Sequence, residues 1–181
     1  MGRIAIVAAM PQELQTLLDA MPDETLTRRA GREFWVGHWM GRELVVVLSG
    51  IGKVAAAITT TALITEFKVE GVVFVGVAGG LGTEVQVGDA VVATELLQHD
   101  LDASPLFPRF EIPGRGVSRL ATDTALSQAV TQAATHTLAT RGPALPGLGT
   151  PRVHQGLIIS GDRFVSSGSE STALRDALPD A

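Results

Sequence analysis

Apolar positions in this chain follow two rhythms. Arg3–Ala9 is a short, nearly continuous apolar run, the pattern of a strand covered on both faces. Leu14, Leu17, Leu18 and Met21 then recur at helical spacing, and Pro11 suits a first helical turn. Phe34–Met40 and Glu43–Ser49 flank Gly41-Arg42 and predict a hairpin. Val54, Ala55, Ile58, Ala62 and Phe67 predict a helix over 53–67, although Thr59-Thr60-Thr61 is β-branched and packing must override propensity there. Gly71–Val77 reads as another buried strand, ended by Gly79-Gly80, and Asp89–Leu97 as a strand after the turn at Gly88. Ala121–Thr140 reads as a helix with Ala125, Leu126, Ala129, Val130, Ala133 and Leu138 on one side, and Arg152–Ser160 as the last strand. Two stretches lack a rhythm: the long loop 99–119, of a length that is usually functional or mobile, and 141–151, a surface connection rich in proline and glycine. Strands alternating with helices predict an α/β fold, a sheet with helices on both faces.

Composition narrows the class. The chain has 181 residues, which suits one domain, and no internal repeat or composition shift divides it. Hydrophobic residues make up 45% and charged residues 18%, as in a globular protein with a real core. The absence of cysteine excludes a disulfide framework, a thiolate zinc site and a cysteine nucleophile. With 14 basic and 19 acidic residues the net charge is −5, and no basic run exceeds Arg28-Arg29, which argues against nucleic acid as a partner. Ile4–Met10 is barely long enough for a signal peptide, and Pro11-Gln12-Glu13 stands where a small-residue cleavage site belongs. Gly2 invites myristoylation, but Ile6 occupies the position that needs Ser or Thr. No apolar stretch approaches the roughly 18 residues that cross a bilayer. The expectation is a cytoplasmic protein with neither membrane nor nucleic acid as partner.

Glycines are the loudest chemical signal. Gly50-Ile51-Gly52-Lys53-Val54-Ala55 fits the dinucleotide pattern G-x-G-x-x-A, yet the next strand ends without the acidic residue that holds a ribose. It is not a Walker loop either, because Val54 stands where Ser or Thr would bind magnesium. Gly76-Val77-Ala78-Gly79-Gly80-Leu81-Gly82 allows backbone to approach a ligand at a strand end, and equally serves a tight turn. The four histidines show no metal-ligand spacing, and no serine sits in a nucleophile elbow. Asp100 and Asp102, beside His99, offer oxygens for a hard cation but nothing more specific. Glu13 falls in a first helical turn, where a carboxylate complements the helix dipole, and also at the carboxyl end of a buried strand, where open α/β sheets bind ligands.

Taken in order, six segments resemble the 5′-methylthioadenosine/S-adenosylhomocysteine nucleosidases of the purine nucleoside phosphorylase superfamily. They are Ala9-Met10-Pro11-Gln12-Glu13, Ser49–Ala57, Val77-Ala78-Gly79-Gly80-Leu81, Val87-Gly88-Asp89, His99-Asp100-Leu101-Asp102 and Gly156–Phe164. The resemblance implies a three-layer fold, a central mixed sheet flanked by helices, over a single nucleoside phosphorylase-like domain, 1–181. It implies hydrolysis of an adenine N-glycosidic bond through an oxocarbenium-like transition state, with neither cofactor nor metal, in a homodimer that binds an adenine nucleoside. Carried onto this chain, it makes Glu13 the general base for the attacking water. Val77, Ala78 and Gly79 line the ribose and water with backbone. Met10, Ile51 and Ala103 contribute to an apolar pocket for the 5′-alkylthio group. Phe164 stacks near adenine, and the main chain of Val165 reads its polar edge. His99 and Asp102 shape the substrate loop and a dimer contact.

The chain also departs from the family pattern. Val77 stands where many relatives have Ser, and no arginine clamp is evident, so water is favoured over phosphate as nucleophile. The family's ribose-binding Met-Glu pair and its later Ser-Asp pair, whose Asp protonates the leaving adenine, have no counterpart in these residues. Asp162, Asp176 and Asp180 do not match that motif. The expectation is therefore a nucleosidase represented by about three-quarters of its domain, with little adenine release from these residues alone. The alternatives are futalosine hydrolysis or another purine nucleosidase, and an inactive nucleoside-binding relic.

Overall fold

The computed structural model describes residues 2–141 and 149–181, which fall into two compact units, Met1–Ala78 and Gly79–Ala181. In the first unit the elements are β1 (Ile4–Ala8), α1 (Pro11–Asp19), β2 (Thr25–Arg29), β3 (Arg32–Trp39), β4 (Arg42–Leu48), α2 (Lys53–Thr65) and β5 (Gly71–Phe74). The strands form one mixed sheet in the order β2-β3-β4-β1-β5. β1 pairs in parallel with both β4 and β5, and β2, β3 and β4 pair antiparallel.

Two hydrophobic clusters account for the continuous apolar runs. Ala5 and Val7 of β1 and Val45 and Val47 of β4 pack with Ala62, Leu63 and Phe67, on the α2 side. Ala8, Leu44 and Val46 point the other way, against Leu14 and Met21, with Leu17 and Leu18 partly buried beside them. Alternate residues of the same strand thus serve opposite faces, and the unit has three layers: α1, sheet, α2. In α2 the threonine run is accommodated because its hydroxyls bond back to the helix. Thr59 Oγ1 donates to the Ala55 carbonyl at 2.9 Å, and Thr61 Oγ1 to that of Ala57 at 2.8 Å.

In the second unit the elements are β6 (Ala90–Gln98), β7 (Arg119–Ala121), α3 (Thr124–Arg141), β8 (Val153–Ser160) and α4 (Gly168–Ala177). The sheet order is β7-β6-β8, with β6 and β8 parallel and a bulge between Ala93 and Glu95. Leu97, Leu157 and Leu178 form the buried cluster, and α3 packs on β6 and β8. Asp89 ties the start of both parallel strands. Its carboxylate accepts the Gln86 and Arg152 N–H groups at 3.0 and 2.8 Å and lies 2.9 Å from His154 Nε2.

Several expected boundaries shift for identifiable reasons. β5 stops at Phe74 rather than Val77, because the chain leaves the ladder after the Val75 N–H bonds to the Val7 carbonyl. The inward face of α3 carries Leu126, Val130, Ala134 and Leu138, while Ala125, Ala129 and Ala133 are exposed. The surface connection read for 141–151 lies outside the described residues over 142–148.

Candidate active site

Because β1, β4 and β5 run parallel, their carboxyl ends lie at one end of the first unit's sheet. Three segments leave from there: Ala9-Met10, Ser49–Gly52 and Val75–Ala78. Beyond such strand ends is where open α/β sheets bind ligands. Ser49 ties two of the segments together. Its N–H donates to the Ala8 carbonyl at 2.8 Å, and its hydroxyl lies 3.2 Å from the same oxygen and 2.8 Å from the Gly50 carbonyl.

Glu13 sits at the third position of α1, half-buried, facing this end. Its Oε2 accepts the N–H of Ala9 at 3.1 Å and of Met10 at 2.9 Å. The Met10 bond is one half of a capping box, which alone gives Glu13 a purely structural role. The third bond differs: Oε1 accepts the N–H of Val77 at 3.1 Å, from a residue 64 positions away. No helix cap requires that partner. A carboxylate offers about four lone-pair sites. Those on Oε2 are taken by two N–H donors, whereas Oε1 accepts one, from the segment that carries Val77 and Ala78.

The residues around Glu13 leave room for this arrangement. A Cβ on Gly76 would lie 3.1 Å from Glu13 Oε1 and 3.2 Å from a Phe74 ring carbon. Ile51 is 81% exposed, Val77 85% and Met10 41%, so apolar surface is left uncovered on the segments at this end of the sheet. Ile51 is presented between Gly50 and Gly52, whose φ angles of 75° and 101° favour glycine. Met10, Glu13, Ile51, Val77 and Ala78 are thus brought to the same end of one unit.

In the second unit, parallel β6 and β8 send two further segments from one sheet end. The first carries His99, Asp102 and Ala103; the second carries Phe164 and Val165. His99 N–H donates to the Ser160 carbonyl at 3.0 Å and joins them. Asp102 Oδ1 accepts the Ser104 N–H at 3.0 Å, which holds its carboxyl below the ordinary range. The Ala103 carbonyl accepts the Leu106 and Phe107 N–H groups at 3.1 and 3.2 Å. Phe164 is 87% exposed, Val165 is half-buried beside it, and Gly79 is exposed at the start of the unit. Asp180, one of the three aspartates weighed as an acid, is engaged elsewhere. Arg119 pairs with it and with Glu95, and the Arg119 bond lowers the Asp180 pKa, which suits an ion pair rather than a proton donor. Asp100 is a residue that sequence reasoning passed over as a bare cation ligand. Its Oδ2 accepts the Asp162 N–H at 2.7 Å. Among the described residues, no group of three or more His, Asp or Glu side chains is placed to hold a metal ion. No helix among them is long and apolar enough to cross a membrane.

This fold and site define a class. Residues 3–180 match the family model of the phosphorylase superfamily, and the chain belongs to it. A 5′-methylthioadenosine/S-adenosylhomocysteine nucleosidase of Chromohalobacter salexigens is 32% identical over 179 residues, covering 99% of this chain and 72% of the relative. The crystal structure of the Neisseria meningitidis enzyme of that name, in complex with methylthio-immucillin-A, superimposes with a TM-score of 0.88 at 34% identity, covering 100% of this chain and 74% of that one. The structure of futalosine hydrolase of Helicobacter pylori matches with a TM-score of 0.82 at 30% identity, covering 99% and 72%. Within the superfamily the chain belongs to the 5′-methylthioadenosine/S-adenosylhomocysteine nucleosidase family. The α/β fold, with mixed sheets flanked by helices, is the nucleoside phosphorylase-like fold expected from the sequence.

Proposed function

We propose that the protein hydrolyses the adenine N-glycosidic bond of 5′-methylthioadenosine and S-adenosylhomocysteine, with Glu13 as general base. The observation that carries this role is the third bond of its carboxylate. The Val77 N–H, from a strand end far along the chain, fixes Oε1 beside the exposed Val77-Ala78 segment. In this mechanism a water bonded to Oε1 gives up a proton to it while its oxygen forms the bond to the ribosyl C1′. The bond from C1′ to adenine breaks, and its electron pair departs with the base. Two backbone donors on Oε2 hold the carboxylate against rotation, so the proton acceptor is oriented before substrate arrives.

The remaining roles belong to the same proposal. Val77, Ala78 and Gly79 present backbone to the ribose and water. Met10, Ile51 and Ala103 contact the 5′-alkylthio group, Phe164 stacks on adenine, and the Val165 main chain meets the polar edge of the base. His99 and Asp102 shape the loop after β6. Residues 1–181 serve as one nucleoside phosphorylase-like domain, supported by the family match across both units. A homodimer and a cytoplasmic location complete the reading. The exposed Val54 and Ile58 of α2, 72% and 43% accessible, are consistent with a covered surface in a dimer, which sedimentation velocity tests.

The test of the base is Glu13→Gln in a catalytically active form of the protein. Turnover is expected to fall roughly 10²- to 10⁴-fold while methylthioadenosine binding stays within a few-fold. Near-normal adenine release removes Glu13 from this role. Rates on methylthioadenosine, adenosylhomocysteine, deoxyadenosine and futalosine identify the preferred 5′ substituent. Exposed, apolar Met10 and Ile51 favour a thioether, and faster turnover of futalosine would reverse that preference.

A further inference from the structure

We infer that Asp100 is a positioning residue for the base-binding segment, holding residues 161–165 so that the Phe164 ring is presented in a fixed direction. The inference rests on the proposed stacking of Phe164 on adenine and adds the device that prepares it. The segment between β8 and α4 has no ladder partners, yet it is secured at both ends. At its start, the Asp162 N–H donates to Asp100 Oδ2 at 2.7 Å, a short bond to a charged acceptor. The preceding residue makes that approach feasible: a Cβ on Gly161 would lie 2.7 Å from both Asp100 Cγ and His99 Nε2. Only a residue without a side chain lets the carboxylate and the imidazole lie this close over the backbone. At its end, Ser167 caps α4 and accepts the Glu170 N–H at 3.2 Å, while its own hydroxyl donates to Glu170 Oε2 at 3.0 Å. Arg163 forms an ion pair with the same Glu170. Between these two anchors Phe164 stands 87% exposed, a large apolar ring that the segment's own packing does not explain.

An aromatic platform binds a base more tightly when it is held in place beforehand, because less ordering is left for the binding step. Asp100 supplies that order from the strand end next door, and needs no contact with the nucleoside to do so. Asparagine at this position keeps a carbonyl oxygen for the Asp162 N–H, whereas alanine does not.

Two measurements on the full chain test this. Hydrogen exchange of the peptide spanning 161–166 reads the bond directly. Asp100→Ala is expected to speed it roughly tenfold, the loss of one hydrogen bond to a charged group, and Asp100→Asn much less. Adenine affinity by calorimetry reads the consequence. Phe164→Ala is expected to weaken binding roughly five- to hundredfold, as for loss of a stacking ring. Asp100→Ala alone is expected to weaken it several-fold, but to add little once Phe164→Ala is present. Unchanged exchange in Asp100→Ala overturns the inference. So do faster exchange with unchanged adenine affinity, and additive effects in the double variant. If Phe164→Ala leaves adenine affinity unchanged, or the unaltered chain does not bind adenine, the stacking reading itself falls and the inference falls with it. Faster exchange in Asp100→Ala would then show only the local clamp.

Discussion

Glu13 Oε1 lies 3.1 Å from the Val77 nitrogen, and that bond joins the first helix to a strand end 64 residues further along. It uses backbone, so it does not depend on which side chain residue 77 carries. The bond does depend on the glycine next to it. A methyl on Gly76 would sit 3.1 Å from Oε1 and 3.2 Å from the Phe74 ring, closer than either neighbour tolerates without moving. Gly76→Ala is therefore expected to displace the carboxylate. Overpacking of this kind costs about 1–3 kcal/mol of stability, but the larger effect falls on turnover. In a catalytically active form, kcat is expected to fall at least tenfold, with a modest change in melting temperature. Unchanged kcat would show that Glu13 does not need its present position.

Asp89 predicts a pH dependence. Backbone N–H groups of Gln86 and Arg152, with His154 beside them, pull its pKa from 3.8 to about 2. A folded-state value below the unfolded one means that this carboxylate stabilises the fold at pH above about 3.8. The contribution is lost as pH falls toward 2. Its position explains the consequence: the side chain is 5% exposed and bridges the starts of β6 and β8. Asp89→Asn is expected to be less stable than the unaltered protein at neutral pH. The gap should narrow as pH drops through that window, measured by thermal melts across the acid range. A gap independent of pH would show that the ionised form carries none of the effect.

The elements legible in the sequence were those with a buried face. β1 and β4 are covered on both sides, so their apolar runs are continuous, and α1 shows its stripe because Leu14, Leu17 and Leu18 meet one face of the sheet. The missed elements lack that signature. β2, Thr25–Arg29, is almost wholly exposed and carries two arginines, and β7 spans only Arg119–Ala121. α4 was missed as well, although Ser167-Gly168-Ser169-Glu170 is a capping-box pattern and Ser167 does cap the helix. Within the site, Glu13 was legible through its motif, but its three donors were not, since one comes from residue 77 and only the parallel pairing brings it near. Asp100 was hidden because its partner is a backbone N–H, which no side-chain pattern records.

The two hairpin turns of the first unit predict a stabilising change. Ala30 and Gly31 have φ of 47° and 72°, and Met40 and Gly41 have 49° and 75°. Both central residues in the left-handed region define a type I′ turn, which prefers Asn-Gly. Met40 is 82% exposed, so its side chain contributes little packing to offset the unfavourable backbone. Met40→Asn is expected to raise stability by about 0.5–1 kcal/mol through relief of that conformation. Denaturant unfolding with an unchanged m-value checks it. A loss of stability would mean that Met40 is covered in the assembled protein.

Gly52 separates two explanations for the Gly50-Ile51-Gly52 motif. As a dinucleotide loop its glycines would admit a pyrophosphate; here Gly52 is the N-cap of α2, with φ 101° and ψ 156°, a conformation that only glycine adopts readily. The motif is thus required by the turn from β4 into α2, whatever binds beside it. Gly52→Ala is expected to cost about 1–3 kcal/mol by backbone strain alone. Because Ile51 is 81% exposed and held between two glycines, the strain should also redirect it, raising KM for methylthioadenosine more than it lowers kcat in a catalytically active form. A shorter 5′ substituent should feel the change less. Equal losses for methylthioadenosine and 5′-deoxyadenosine would place Ile51 outside the 5′ pocket, while the predicted destabilisation would still follow from the dihedral angles.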